Sequence, residues 1–442
     1  MANGQNHQNG NKKEIRKFLF VGWESLSGDL AWHIKKEGHE VKMYIKNEGM
    51  EKDKDVYDGF LEKISDWKEH VTWADVVVFD DVGFGKEADA LRQQGKAVVG
   101  GSEYTDRLEE NREFGQSEMK RLGMLTLPSF DFDNYDKALE FIKNNPGRYV
   151  YKPSGFVPSD WKGLLFIGKE EDGNDLYEVL QQNKAVISNK IKQFQLQKFV
   201  SGVEVGMSAF FNGRDFITPI LIAFEHKRLF PGELGPMTGE MGTSMFWTEP
   251  NKLFRETTGK MLEDLRKSGY VGYIDINCIV NGRGIYPLEF TCRFGYPTIS
   301  IQQEGVISEW GELLYAMGNH LPFDLKTKRG FQIGVVCVTP PFPYDDPSEM
   351  ELYKDLSILF KKPNLDGIHI GDIKVIDNIW RVAGTSGYIL IVTGQGTTME
   401  EARKQAYSRL DNIILLNMIY RTDIGATWAE DSDKLQTWGY LY

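Results

Sequence analysis

The chain has 442 residues, enough for two to four domains or for one multilayered enzyme. Hydrophobic residues make up 41% of it and charged residues 26%, values typical of a globular protein with large cores. The net charge of −12 argues against nucleic acid as a general partner, because phosphate binding needs a basic surface. Since no apolar run approaches the roughly 18 residues of a membrane span, we expect a cytoplasmic protein without a membrane partner.

Residues 1–13 are rich in Asn, Gln and Gly and contain no apolar segment. This composition predicts a disordered tail rather than a signal peptide. The three cysteines, Cys278, Cys292 and Cys337, lie in hydrophobic runs and lack the spacing of metal ligands. We therefore expect buried thiols in a reducing cytosol.

Predicted strands and helices alternate through residues 14–104. The strands are predicted at 17–22, 40–45, 75–79 and 97–100, and the helices at 28–37 and 87–94. Such alternation predicts a parallel sheet of Rossmann-like type. Ligands of these sheets bind at the carboxyl ends of the strands, here near residues 22–27 and 80–85. No GxGxxG follows the first strand, so we do not expect a dinucleotide site.

The next region begins with one predicted helix over residues 108–122, ended by Gly123. Residues 149–152 predict a strand that carries Lys152 at its end. A loop rich in Gly, Pro and Ser follows over residues 153–163 and includes Lys162. This loop either closes over phosphates with its backbone N–H groups and one cation, or is a surface hairpin loop.

Residues 235–242 read Gly-Pro-Met-Thr-Gly-Glu-Met-Gly and hold three glycines and one proline. This content predicts a lid or a disordered loop rather than regular structure. Beyond residue 331, strands are predicted near 334–338 and 388–392. A helix over 399–413 follows them, with Thr398 and Glu401 as a capping box.

Residues 272–291 predict a β-hairpin, because both halves alternate and Asn281-Gly282 between them is a turn signal. The period of two places two polar side chains of each strand on one face, namely Asp275 and Asn277, and Glu289 and Thr291. Two carboxylates and two neutral oxygen ligands suit Mg²⁺. The alternative is an edge hairpin with a solvated polar face. Arg293 follows the hairpin and could hold a carboxylate or a phosphate.

Four stretches of the chain together resemble the ATP-grasp ligases, and more narrowly the phosphoribosylamine–glycine ligase family of purine synthesis. Residues 235–242 are similar to that family's GPNTGGMG loop, and residues 287–297 (PLEFTCRFGYP) resemble its EFNCRFGDPE element. His226-Lys-Arg228 and residues 392–403 also fit. The resemblance implies an α/β protein, α+β in parts. Its domains are a Rossmann-like domain (14–104), a two-lobed ATP-grasp domain (105–330, small lobe about 129–200) and a small C-terminal α/β domain (331–442).

The resemblance also implies roles for individual residues. Lys152 and Lys198 would contact the phosphates of ATP, the 154–163 loop with Lys162 would cover them, and Gln197, the backbone near Val200, and Glu204 would hold adenosine. Glu289 would be the principal ligand of Mg²⁺ (or Mn²⁺), aided by Asp275 or Asn277, and by Thr291 as a weaker ligand. Arg293, Lys227 and the 235–242 loop with Gly239 would hold the acyl phosphate and the acceptor. The implied reaction joins an amino acid or another carboxylate to an amine through an acyl phosphate.

Departures from the family pattern affect one metal residue, one adenosine residue and three segments on the substrate side. Thr291 replaces an asparagine, and Gln197 replaces an acidic residue. The GGREHA loop becomes residues 24–29, the GPE triplet becomes Asp80-Asp81-Val82, and the DPE triplet becomes residues 296–298. We therefore expect an intact ATP site that serves a changed substrate pair, in a monomer or homodimer. The alternatives are the parent purine activity, a ligase for another amine, and a non-catalytic ATP-binding protein.

Overall fold

The computed structural model describes residues 14–23, 26–46, 54–154, 164–344 and 346–441. The predicted tail over residues 1–13, residue Lys162 and most of its loop lie outside the described residues. No helix in the described part of the chain is long and apolar enough to cross a membrane.

The N-terminal region forms a five-stranded parallel sheet, as its alternating pattern predicts. Its elements are β1 (Lys17–Gly22), α1 (Gly28–Lys36), β2 (Glu40–Ile45), β3 (Glu62–Lys63), β4 (Val76–Phe79), α2 (Gly85–Gln93) and β5 (Ala97–Val99). The strand order is β3-β2-β1-β4-β5. β2 and β3 are therefore added on one side of β1, and β4 and β5 on the other side. The carboxyl ends of β1 and β4 therefore border a crevice, the usual place for a ligand in such sheets.

The single helix predicted over residues 108–122 is wrong, because two helices occupy this stretch. They are α3 (Glu103–Glu110) and α4 (Arg112–Arg121). Asn111 between them has an extended backbone, and its side chain accepts a hydrogen bond from the Phe114 N–H. The side chain thus starts a new helix instead of continuing the old one. Gly123 follows α4 with a φ of 68°, which agrees with its predicted role as a helix stop.

A four-stranded sheet with two helices on one face follows. It contains β6 (Ser129–Phe132), α5 (Tyr135–Asn144), β7 (Tyr149–Ser154), β8 (Phe166–Ile167), α6 (Asn174–Lys190) and β9 (Gln193–Lys198). The order is β6-β9-β7-β8, with antiparallel pairing of the neighbouring strands. Its own hydrophobic core includes Tyr149, Leu176 and Phe194.

The largest sheet has eight strands and includes the predicted hairpin. The elements from residue 203 to 338 are β10 (Val203–Phe211), β11 (Phe216–Phe230), β12 (Leu234–Thr248), α7 (Lys252–Glu256), α8 (Leu262–Ser268), β13 (Gly272–Asn281), β14 (Gly284–Thr291), α9 (Thr298–Gly305), α10 (Trp310–Gly318) and β15 (Phe331–Val338). The C-terminal elements are α11 (Pro347–Met350), β16 (Ser357–Phe360), β17 (Ile368–Ile370), β18 (Ile373–Ile376), β19 (Ile379–Val382), β20 (Tyr388–Gly396), α12 (Met399–Leu410), β21 (Ile413–Ile414) and α13 (Trp428–Thr437).

The order of the large sheet is β14-β13-β10-β11-β12-β15-β20-β17, so C-terminal strands extend the sheet that carries the hairpin. A separate small sheet joins β18, β19, β16 and β21. The predicted capping box forms at the start of α12, where the Thr398 hydroxyl accepts from the Glu401 N–H. The three cysteines are buried free thiols, as predicted.

The prediction of a loop over residues 235–242 is wrong, because the segment belongs to β12. It pairs with the long strand β11, and register shifts next to Arg228 accommodate the irregular sequence. Gly242 does not make a turn. A Cβ atom there would lie 2.5 Å from the Gly334 carbonyl oxygen, so glycine permits close approach of β15.

Candidate active site

The β13–β14 hairpin pairs the four residues predicted as metal ligands. Asp275 lies opposite Thr291, and Asn277 lies opposite Glu289. Directly opposite residues of an antiparallel pair share one face, so all four side chains project from the same side. Asp275 and Asn277 are buried, whereas the Glu289 side chain is 53% exposed and can meet a ligand.

The ammonium group of Lys227 lies among three carboxylates near this hairpin. Its Nζ is 3.1 Å from Glu204 Oε1, 3.2 Å from Glu225 Oε2 and 3.2 Å from Glu289 Oε1. The positive charge of Lys227 lowers the pKa of Glu289 to about 2. Although burial opposes the charged form, the carboxylates raise the pKa of Lys227 well above its usual value. Both groups are therefore ionised at neutral pH.

Asn277 completes this cluster from β13. Its Nδ2 donates to Glu204 Oε1 at 2.9 Å and to Glu225 Oε2 at 3.3 Å. Its Oδ1 is buried and has no hydrogen-bond partner. In the described part of the chain, no group of three or more His, Cys, Asp and Glu side chains is arranged as a metal site. The orphaned amide oxygen and the exposed Glu289 carboxylate are nevertheless the kind of oxygen ligands that Mg²⁺ takes.

The small sheet contributes Lys152 at the end of β7. Its Nζ donates to Gln197 Oε1 at 2.7 Å, and Gln197 itself is buried. Burial and then the charge of Arg112 lower the pKa of Lys152 to about 8. The negative charge of Glu289 opposes this shift. Lys152 lies three residues from Tyr149 in β7, so it projects from the face opposite to the helix-covered core. Lys152 and Gln197 thus form one polar pair on the face towards the large sheet.

Lys198 does not join Lys152, although the resemblance assigns both to phosphate. It pairs with Tyr149 across β7 and β9, and its Nζ lies 4.3 Å from the centre of the Tyr149 ring. Tyr149 belongs to the helix-covered core, and side chains three residues apart in a strand face opposite ways. The structure therefore places Lys198 on the other face of the small sheet from Lys152.

Two further predicted residues border open space. Gly239 is exposed in β12, and a Cβ atom there would have no neighbour within 4 Å. Its glycine is thus not needed for packing. Val200 follows β9 in the connection to β10, where its partly buried backbone lies at the boundary of the two sheets.

Arg293 lies beyond the hairpin and connects it with the parallel sheet. Its Nε donates to Glu109 Oε1 at 3.2 Å and lies 3.8 Å from Asp81 Oδ1. Glu109 also accepts the Cys292 N–H at 2.7 Å, which fixes the carboxylate in place. A cavity of about 200 Å³ lies between the hairpin and the helices α3 and α4, and its lining includes Glu289 and Arg293.

Two acidic residues of the site are absent from the sequence-based prediction, namely Glu225 and Glu240. Glu225 is two residues from Lys227 in β11, so the strand period alone would place them on one face. Glu240 stands at a glycine of the family loop, which marks it as an unusual carboxyl group. It is buried, its Oε1 has no hydrogen-bond partner, and burial raises its pKa well above the usual value.

The two sheets around Lys152, Lys227 and Glu289 lie in a part of the chain that is similar to known proteins. Residues 110–299 match the family model described as the phosphoribosylglycinamide synthetase ATP-grasp (A) domain. Over these residues the chain resembles an ATP-grasp domain. Proteins of this superfamily use ATP and divalent metal ions in general.

Curated relatives extend the similarity over nearly the whole chain. The phosphoribosylamine–glycine ligase of Clostridium acetobutylicum is 23% identical over 433 residues, covering 92% of this chain and 99% of the relative. The enzyme of the same name from Thermotoga maritima is 27% identical over 416 residues, covering 89% and 95%. This chain therefore resembles phosphoribosylamine–glycine ligases from its first strand to its last region.

Solved structures show the same fold. The phosphoribosylamine–glycine ligase of Thermotoga maritima superposes with a TM-score of 0.69 at 22% identity, covering 92% of this chain and 100% of that one. A Campylobacter jejuni biotin carboxylase, solved as a β,γ-ATP complex, gives a TM-score of 0.62 at 11% identity and covers 97% of both chains. The ATP-grasp architecture predicted from the motifs is confirmed.

Proposed function

We propose that this protein is an ATP-dependent carboxylate–amine ligase that forms an amide through an acyl phosphate. The observation that carries the proposal is the position of Lys227 among Glu204, Glu225 and Glu289, with Lys152 facing it from the small sheet. This arrangement offers cations for phosphoryl oxygens and carboxylates for a divalent ion within one cleft. Phosphoryl transfer requires mainly such positioning and charge neutralisation.

The nucleotide would bind between the small sheet and the large sheet. Lys152 would contact the phosphates, whose charge favours the ammonium form of a lysine with a lowered pKa. Gln197, the Val200 backbone and Glu204 would contact adenosine. Lys198 contributes less in this proposal, because its ammonium lies over the Tyr149 ring on the opposite face.

A divalent cation fits the hairpin. Glu289 and the unpartnered Oδ1 of Asn277 would hold Mg²⁺ or Mn²⁺, with Thr291 and Asp275 as further oxygen ligands on the same face. The ion would neutralise charge on the phosphates of ATP. Lys227, which is bound to the same carboxylates, would move towards the reacting phosphoryl oxygens once Glu289 has another cation to balance it.

The reaction would proceed in two steps. A substrate carboxylate oxygen attacks the γ-phosphorus, and the bond to ADP breaks, which gives an acyl phosphate. The amine nitrogen then attacks the acyl carbon, phosphate leaves, and the nitrogen loses a proton. Lys227 and Arg293 would stabilise the anionic oxygens, and Gly239 would leave room for the acyl group.

The experiment is ADP release with Mg²⁺·ATP, first with glycine and freshly generated phosphoribosylamine, then with other amino acids and amines. We expect ADP release only when a carboxylate substrate is present. Release with the purine pair alone would assign the activity of the curated relatives. Clear ATP binding without release for any pair would contradict the proposal and indicate a non-catalytic ATP-binding protein.

A further inference from the structure

Lys227 lies near the tip of the long β11–β12 hairpin, where the pairing of the two strands is irregular. Register shifts occur on both sides of Arg228, and β12 has residues 238–241 at the place where β11 has only Lys227. An insertion of this kind leaves residues unpaired and disrupts the hydrogen-bond ladder locally. The ladder of the hairpin is therefore not sufficient to fix the backbone that carries Lys227.

The C-terminal segment 421–425 contacts this part of the hairpin through the guanidinium of Arg421. The Arg421 side chain is only 1% exposed. Its Nη1 donates to the Arg228 carbonyl oxygen at 2.9 Å, and its Nη2 donates to Oε1 of Glu233, in the hairpin turn, at 2.7 Å. Because the guanidinium is planar and rigid, these two bonds hold the strand beside Lys227 and the turn in one fixed arrangement.

Asp423 orients the Arg421 guanidinium. Its Oδ1 accepts from Arg421 Nε and its Oδ2 from Arg421 Nη2, each at 2.8 Å, and Oδ2 also accepts from the Gly232 N–H at 2.9 Å. Although burial opposes the charged form, the hydrogen bonds from Arg421 and from Gly232 lower the pKa of Asp423 to about 2. The carboxylate is therefore ionised at neutral pH, and it forms a bidentate, charge-assisted pair with Arg421.

A second contact of the same segment reaches the residue that precedes Lys227. The Gly425 N–H donates to Nε2 of the buried His226 at 3.3 Å. The segment is itself anchored to α12, because the Tyr407 hydroxyl donates to the Arg421 carbonyl oxygen at 2.9 Å. The residues before and after Lys227 are thus both hydrogen-bonded to one anchored segment of the C-terminal region.

The ammonium of Lys227 is bound only in the cleft, among the carboxylates described above. Its position relative to Glu289 therefore depends on where the backbone of β11 lies. A misplacement of about 1 Å at a reacting group can reduce the rate about a hundredfold. A contact that fixes this backbone consequently affects the chemical step without touching a substrate.

We propose that Arg421 is a positioning residue for the ligase reaction, which holds the β11 backbone so that Lys227 meets the reacting phosphoryl group. This inference rests on the proposed function, and Arg421 acts in it only through Lys227. The nucleotide itself would be held by Lys152 and Gln197 on the small sheet, which shares no strand ladder with β11 in the described residues. Loss of Arg421 should therefore lower kcat and leave the KM for ATP nearly unchanged.

The test is a double-mutant cycle of Arg421→Met and Lys227→Met. ADP release is measured with Mg²⁺·ATP, hydroxylamine as the acceptor and a panel of amino acids and small carboxylates that begins with glycine. With the acid that the wild type uses, Arg421→Met should lower kcat by about tenfold to a hundredfold and change the KM for ATP by less than about threefold. In the Lys227→Met background, measured in single turnovers with excess enzyme, the same substitution should lower the rate by less than about threefold.

Arg421→Lys is studied in the same two backgrounds. It keeps a positive charge beside Asp423 but cannot reproduce the fork that also holds the Arg228 carbonyl, so kcat should still fall while the protein remains folded. Circular dichroism shows which variants are folded at the assay temperature, and the folded ones decide the outcome. This second variant keeps the test valid if Arg421→Met does not fold.

Arg92→Met is the matched control for the loss of a buried guanidinium. The Arg92 side chain is 11% exposed and binds one carboxylate, that of Asp89 at 3.0 Å, and the carbonyl oxygens of Gly100 and Gly101, each at 2.7 Å. Its removal should lower the melting temperature and leave kcat unchanged, because these partners belong to the parallel-sheet region and its exit, away from β11.

The outcomes separate the two proposals. No ADP release by the wild type with any acid would contradict the ligase function, and the role of Arg421 with it. If the wild type is active, the role of Arg421 alone is overturned by any of three results: equal losses of rate in both backgrounds, a main effect on the KM for ATP, or an equal loss of kcat in Arg92→Met.

Discussion

The carboxylates of the hairpin cleft and those of the parallel-sheet edge differ in how their charges are balanced. In the cleft, Lys227 binds three carboxylates directly, and it lowers the pKa of Glu289 to about 2. At the edge, burial and the neighbouring Asp81 raise the pKa of Asp80 to about 8, and hydrogen bonds from Ser27 oppose the shift only in part. In the cleft, Lys227 and Glu289 therefore stay charged in the absence of a nucleotide. The sheet edge holds a buried carboxyl group that is mostly protonated at neutral pH.

The largest expected effect comes from Glu289→Ala. The variant removes the exposed carboxylate that the proposal assigns to the metal, and we expect Mg²⁺-dependent ADP release to fall by about a thousandfold or more. The melting temperature should stay near that of the wild type, because the Glu289 side chain is 53% exposed and is not part of a core. Unaltered ADP release would contradict the metal assignment.

Lys227→Met should reduce ADP release nearly as much, by about a hundredfold to a thousandfold, because it removes the cation among the three carboxylates. Unlike Glu289→Ala, it should also lower the melting temperature, since Glu225 and Glu204 lose their counter-ion. Lys192→Met, at an exposed lysine before β9, provides the control and should change neither quantity. Full activity of Lys227→Met would show that the cleft does not depend on a paired cation.

Lys152→Met and Lys198→Met test which lysine of the small sheet faces the nucleotide. We expect Lys152→Met to raise the KM for ATP by about tenfold to a hundredfold, because it removes the cation that faces Glu289. Lys198→Met should raise it less than threefold, since Lys198 lies over Tyr149 on the other face. The two KM values, measured by ADP release, decide the assignment. A larger effect of Lys198→Met would favour the role implied by the family resemblance.

The smallest expected effect concerns the stability of the ligand-free protein as a function of pH. Asp80 has a raised pKa, so between about pH 4 and pH 8 the native state holds a proton that the unfolded chain has lost. The free energy of unfolding should therefore fall as pH rises through this window, by at most about 1.4 kcal/mol per pH unit. Denaturant titrations of Asp80→Asn should show a shallower fall. Identical slopes for both proteins would show that Asp80 is charged in the native state.

The features that follow from local sequence period are predictable from the chain. Although the pairing of Asn277 with Glu289 depends on a register shift next to Asn277, the parallel sheet and the existence of the hairpin follow from alternation and turn residues. The break at Asn111 does not, because a helix-starting side chain competes there with a continuous helical period. Pairing with β11 overrides the low strand propensity of residues 235–242.

The acidic part of the candidate site depends on tertiary structure. Glu225 and Glu289 both contact Lys227 only because the large sheet places residues of β11 and β14, distant in the chain, on one face. Burial raises the pKa of Asp80, which no local pattern encodes. That Lys152 and Lys198 face opposite sides of the small sheet is predictable from the sequence, because it follows from the period of two once β7 and β9 are paired.

The strand order of the large sheet also determines which parts of the molecule can move as rigid bodies. β15 and β20 are hydrogen-bonded to the sheet that contains the hairpin, so shifting the C-terminal region away from it would break backbone ladders. The sheet that carries Lys152 shares no ladder with it in the described residues. Hinge motion of that lobe leaves every strand pair intact. The fold therefore permits the nucleotide cleft to open and close while the crevice beside Asp80 keeps its shape.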